Sequence, residues 1–173
     1  MESIFPEENW VLCLELQKYF TKDMPQSLTQ IFIHLIFATK KRQPRITSKI
    51  EDRLFSYIGT ICSEMGASPI QVGGYRNHVH VLFLMPKYVT LVELVKKIKA
   101  TSSIWIKTQG PEFHDFYWAE GYAAFSTDKY GTDAIARYIQ NQEAHHARTQ
   151  FENELESLLK QEEIPYDKRY LWD

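Results

Sequence analysis

Apolar and polar positions along the chain follow two periods, and the changeovers mark out the elements. From Thr29 to Thr39 the run Ile31-Phe32-Ile33-His34-Leu35-Ile36-Phe37 is β-branched and aromatic, with too few polar positions for a solvated face, which predicts a central strand. Between Ser48 and Met65 the period becomes helical, with Ile50, Leu54, Tyr57, Ile58, Ile61 and Met65 on one side, Thr47 or Ser48 as N-cap and Gly66 as the stop. Ser68 to Tyr75, with Ile70, Val72 and then Gly73-Gly74, reads as a second strand turning into a third, Asn77 to Met85, that ends at Pro86. Leu91 to Lys107 is a second helix with Leu91, Leu94, Val95 and Ile98 inward. The aromatic stretch Phe113 to Phe125 reads as a last strand. Thr132 or Asp133 can then cap a helix running from Ala134 through Gln142 and beyond, and residues 151–163 form an acidic helix with Phe151, Leu155, Leu158 and Leu159, a packing or dimer-stabilising element. The aromatic tail from Tyr166 to Trp172 is expected to dock.

Strand, helix, strand, strand, helix, strand is the ferredoxin-like split βαβ order, an α+β fold in which strands one and three lie side by side at the centre. That places His34 on a strand next to the one carrying His78 and His80. A chain of 173 residues, 44% hydrophobic, suits one domain, taken as residues 24–173. Residues 1–23 read as an extension whose role the sequence does not reveal. Charge interrupts every apolar run before about 18 residues, and no leader pattern opens the chain, so a cytoplasmic protein is expected. Cys13 and Cys62 stand outside any metal spacing and read as reduced, buried thiols.

The net charge of −2 conceals an asymmetry. Residues 24–110 hold twelve Lys and Arg against four Asp and Glu, whereas residues 111–173 hold six against thirteen. A cationic half can attract a polyanion although the whole is slightly acidic. Its candidates for nucleic-acid backbone contact are Lys40, Lys41, Arg42 and Arg45 in a loop closed by Pro44, and Lys96, Lys99 and Lys107 on one face of the second helix. Solvated surface accounts for the same residues equally well.

The third strand carries the most specific chemistry. Side chains alternate with period two, so His78 and His80 in Asn77-His78-Val79-His80 face the same way, a partial metal site or two polar residues sharing a face. A lone His34 is either a hydrogen-bonded core residue or a support that holds that pair in place from the neighbouring strand. Tyr138 and Gln142 are four residues apart on the predicted helix and share its face, where either suits packing or surface. His145 and His146, one turn beyond Gln142, could add ligands to such a site but read first as surface or packing residues.

Asn77-His78-Val79-His80 followed by Tyr138-x-x-x-Gln142, with Ala123, Phe125, Glu143, His145 and His146 around it, resembles the single-tyrosine HUH transposases of small bacterial insertion sequences, the TnpA type. The resemblance runs from about Met24 to Asp173 and includes the phrases around His34, Ser102-Ser103, Trp105 and Trp118 to Tyr122. It implies a metal-dependent enzyme in which His78, His80 and Gln142 hold a divalent ion, Mg2+ or Mn2+, and Tyr138 is the nucleophile. It also implies single-stranded DNA with hairpins as partner, a 5′-phosphotyrosine intermediate, a homodimer, and neither membrane nor nucleotide cofactor. Two other readings fit the same residues: a domesticated relative acting on chromosomal palindromic repeats, and a noncatalytic ferredoxin-like nucleic-acid-binding protein.

Overall fold

The computed structural model describes residues 27–146 and 150–168. The extension at 1–23 and the end of the aromatic tail, from residue 169, lie outside them. Four strands, β1 (Phe32–Ala38), β2 (Ser68–Tyr75), β3 (His78–Leu84) and β4 (Ala123–Thr127), form one sheet in the order β2-β3-β1-β4. Every pairing is antiparallel. Helices α1 (Glu51–Glu64) and α2 (Leu91–Lys107) connect β1 to β2 and β3 to β4, which is the ferredoxin-like order with its first and third strands at the centre. Three more helices follow: α3 (Thr132–Gln140), α4 (Gln142–His146) and α5 (Phe151–Gln161).

Strand alternation divides the core into two layers. Ile33, Leu35 and Phe37 of β1 and Val79, Val81 and Phe83 of β3 pack with α1 and α2 through Leu54, Ile58, Ile61, Leu94, Val95 and Ile98. The intervening residues face the other way, where Ile36 and Phe125 meet Phe151, Leu155 and Leu159 of α5. His34, His78 and His80 share this second side, and all three are buried.

Several element boundaries differ from the sequence expectation. Helix α1 begins at Glu51 after Ile50, without a side-chain cap, because the Ile50 and Glu51 amides both bond back to the Thr47 carbonyl in a turn. Its end is as expected, since Gly66 takes φ +79 and lets the Ala67 amide return to the Cys62 carbonyl. Helix α2 opens with a reciprocal capping box between Thr90 and Glu93. The last strand is shorter than the aromatic stretch. Phe113, Phe116 and Trp118 plug the core one by one from an irregular segment, Trp118 meeting Phe37 and Phe116 edge to face and donating its indole N–H to Ser102. The long helix predicted through Gln142 breaks at Asn141, which separates α3 from α4. Among the described residues no helix is long and apolar enough to cross a membrane.

Candidate metal and nucleophile site

The site is assembled from five elements. Strand β3 sets His78 and His80 on the sheet, and β1 beside it brings the ring of His34 within 2.9 Å of His80, Nε2 to Nδ1. Helix α3 carries Tyr138, the first turn of α4 carries Gln142, and α5 carries Glu154, whose carboxylate lies among them. The Tyr138 hydroxyl donates to Glu154 Oε1, and Gln142 Nε2 donates to the same oxygen at 3.2 Å. His78, His80, Gln142 and Glu154 are all less than 5% exposed.

Hydrogen-bond logic fixes where the lone pairs point. The Asn77 side-chain N–H donates to the Arg42 carbonyl at 3.3 Å, which turns Asn77 Oδ1 toward His78 Nδ1 at 2.9 Å. An amide oxygen only accepts, so His78 Nδ1 holds the proton and, in the neutral ring, Nε2 is a bare lone pair. That lone pair faces Gln142 Oε1, a second acceptor, 3.0 Å away. Two acceptors at this distance repel unless a proton or cation lies between them. On the other ring, His80 Nε2 is buried with no hydrogen-bond partner among the described residues and lies 3.3 Å from Glu154 Oε1; Glu154 Oε2 is likewise unpartnered by hydrogen bonding. His78, His80 and Glu154 converge closely enough for one ion. Imidazole and carboxylate donors are of the kind that hold a divalent metal, so the residues present fit one.

Charge states agree with this arrangement. Burial drives the basicity of His78 well down and also lowers that of His80, leaving neutral rings that can offer Nε2 to a cation. His34 is pushed down to about 3 by burial and then by His80, against the opposing pull of Glu154. A neutral His34 can accept from His80 Nδ1–H, which orients that ring as second-sphere partners of metal-bound histidines do. Burial alone would raise Glu154, but the imidazoles of His146 and His80 and the Tyr138 hydroxyl gathered around it outweigh that and hold its carboxyl below the ordinary range. Burial, together with the Glu154 hydrogen bond and charge, pushes the Tyr138 phenol up. Tyr138 is therefore held as a neutral phenol beside an anion.

The sequence does not single out Glu154, and it ranks His146 as a surface or packing residue ahead of a ligand. His146 lies in the site, not at the surface: Nε2 is 3.2 Å from His78 Nε2 and 2.9 Å from Glu154 Oε2. Glu154 had a visible signal, because Phe151, Glu154, Leu155 and Leu158 occupy the i, i+3, i+4 and i+7 positions of one helix stripe. A carboxylate on an apolar stripe must either break the packing or have partners inside.

The cations proposed for DNA contact are placed unevenly. Lys40, Lys41 and Lys96 are exposed. Arg42 pairs with Glu152 at 2.7 Å, and Arg45 pairs with Asp115. Lys99 does not project from its helix face; its Nζ donates to the carbonyls of Ala119, Glu120 and Gly121 at 2.5, 2.8 and 3.1 Å. Lys107 lies 3.7 Å over the Tyr117 ring. Lys41 and Arg42 both adopt positive φ, 55° and 53°, a conformation uncommon for residues other than glycine.

An antiparallel α+β sheet that presents paired histidines to a tyrosine on a following helix defines a narrow class. The chain belongs to the IS200-like transposase family, described as "Transposase IS200 like", whose sequence pattern matches residues 27–142. It is similar in fold to a candidate transposase from Deinococcus radiodurans R1, with a TM-score of 0.55 and 21% identity over 70% of this chain and 98% of that one. It is also similar to a REP-associated tyrosine transposase solved with a REP hairpin, with a TM-score of 0.53 and 9% identity over 75% of this chain and 76% of that one. At these identities the likeness is one of fold. Among curated protein sequences none matches this chain.

Proposed function

We propose that this protein cuts and rejoins single-stranded DNA at hairpin-marked sites through a covalent bond to Tyr138. The observation that carries the reading is the buried cluster in which the Tyr138 hydroxyl and His80 Nε2 meet Glu154 Oε1 while His78 Nε2 meets Gln142 Oε1. The Tyr138 oxygen bonds to phosphorus as its proton passes to Glu154 Oε1, the P–O3′ bond breaks, and the leaving 3′ oxygen takes up a proton. Attack by a new 3′-hydroxyl reverses these changes and reseals the strand without a nucleotide cofactor.

His78, His80 and Gln142 are the ligands that the family resemblance implies, with Glu154 added by the geometry. A bound Mg2+ or Mn2+ supplies positive charge that polarises the scissile phosphate and offsets the carboxylate holding Tyr138 as a phenol. His34 orients His80, and Asn77 fixes the tautomer of His78. The hairpin preference is supported by the REP-associated relative, which was solved with a hairpin. A homodimer joined sheet to sheet suits β4, whose outer edge has no strand partner among the described residues.

The test is covalent capture. The protein is incubated with hairpin-bearing single-stranded oligonucleotides and Mg2+ or Mn2+, and adducts are read on a denaturing gel. Wild type is expected to form an adduct, while Tyr138→Phe forms none and binds the oligonucleotide within about twofold of wild type. An adduct persisting in Tyr138→Phe would move the nucleophile elsewhere. Tight hairpin binding with no adduct in wild type would favour a noncatalytic binding protein.

A further inference from the structure

The family pattern ends at Gln142, yet the described site does not. His146, on the last turn of α4, stacks on Tyr75 with ring centroids 5.2 Å apart and planes 14° from parallel, and it meets His78 edge to face at 4.6 Å. Its side chain is only 4% exposed. These contacts fix the ring so that Nε2 is directed at the point where His78 Nε2 and Glu154 Oε2 also converge.

The separations have a common scale. His78 Nε2 lies 3.0 Å from Gln142 Oε1 and 3.2 Å from His146 Nε2, while His146 Nε2 lies 2.9 Å from Glu154 Oε2 and His80 Nε2 lies 3.3 Å from Glu154 Oε1. Neighbouring donors around a divalent ion bound at about 2.1 Å stand about 3 Å apart in an octahedral shell. Each of these four separations matches one edge of such a shell. His146 Nε2 lies within hydrogen-bond distance of His78 Nε2 and beside Glu154 Oε2, which lacks a partner in hydrogen-bond alignment; a single Nε2–H can serve one of these two neighbours, whereas an ion can serve both.

We propose that His146 is a third imidazole ligand of the ion held by His78, His80 and Glu154, so that α4 and α5 close the coordination shell from beyond the family-matched segment. This rests on the metal reading of the His78 and His80 pair. Three imidazoles beside the Gln142 amide oxygen and one carboxylate form a softer donor set than Mg2+ prefers, so the centre selects Mn2+ and its later transition-metal neighbours over Mg2+.

The experiment uses Mn2+ alone with the full chain. Binding is measured by loss of the free-ion EPR signal, and coordinated imidazoles are counted from nitrogen modulation in pulsed EPR. Wild type is expected to show three imidazole nitrogens and His146→Ala two, with at least roughly tenfold weaker Mn2+ binding. His146→Gln, which keeps a polar group against Tyr75, should also show two, separating ligation from folding. In wild type, Mn2+ should resist displacement by a hundredfold excess of Mg2+. If wild type and His146→Ala give the same nitrogen count and affinity while His78→Ala loses binding, the metal centre stands and the His146 assignment falls. If wild type takes up no Mn2+, or His78→Ala binds as wild type does, the metal reading itself falls and this assignment with it.

Discussion

Asn77 and His34 govern the site without facing the point of convergence. Each acts through the far nitrogen of a β3 histidine, Asn77 by accepting from His78 and His34 through a ring-to-ring hydrogen bond to His80 in which a neutral His34 can accept. That arrangement requires His34 to be neutral, and burial secures it by lowering its pKa from 6.5 to about 3. The unfolded chain takes up a proton at His34 below pH 6.5 and the folded chain does not until about pH 3, so stability is full above 6.5 and lost as the pH falls through this window. In urea unfolding between pH 6 and pH 4, His34→Gln, which keeps an acceptor toward His80, should give a slope shallower by about 1.4 kcal/mol per pH unit, one proton's share. An unchanged slope would mean that the folded protein protonates His34 like the unfolded one. The His-x-His pair was legible because strand alternation alone places both rings on one side. The roles of Asn77 and His146 were not, since they depend on which partner a nitrogen meets across 35 residues in one case and 68 in the other.

Among the elements, the seat of α3 decides where Tyr138 points. The helix lies against β2, and a Cβ built on Gly73 would stand 2.8 Å from both Cγ2 and the carbonyl oxygen of Ile139, the residue after Tyr138. Gly73 is paired in register with His80, so the same glycine spaces the helix carrying Tyr138 from the strand carrying His78 and His80. Gly73→Ala should push α3 away from the sheet, lowering stability by about 1–3 kcal/mol in denaturant unfolding and slowing adduct formation more than DNA binding. Adduct formation at the wild-type rate would show that α3 can shift without displacing Tyr138. Sequence periodicity revealed α1, α2 and the central strands, whose apolar positions follow a single period. It misjudged the segment from Phe113 to Phe125, where each aromatic ring is buried by its own contact and no period exists to read. It also ran α3 into α4, because nothing in Gln140-Asn141-Gln142 marks a break as a proline or glycine would.

For the molecule as a whole, the basic half of the chain is less available than its composition suggests. Arg42 and Arg45 have acidic partners, and Lys99 ties the carbonyls of residues 119–121, leaving Lys40, Lys41 and Lys96 as the exposed cations of the proposed set. Affinity for a single-stranded hairpin oligonucleotide should fall with salt, and a cation that touches a single-strand phosphate should contribute about 0.7 to the slope of log affinity against log salt concentration. Lys41→Ala is expected to reduce the slope by that amount and Lys99→Ala to leave it unchanged. The reverse result would place the DNA path over the Lys99 loop.

Assembly of the site from five elements also sets an order in time. Glu154 follows Gln142 by twelve residues, and all other members of the cluster precede it. At roughly 5–20 residues per second, a ribosome adds the intervening chain in about one to two seconds. During that interval the nascent protein already carries Tyr138 and both β3 histidines but lacks the carboxylate that holds the phenol in place.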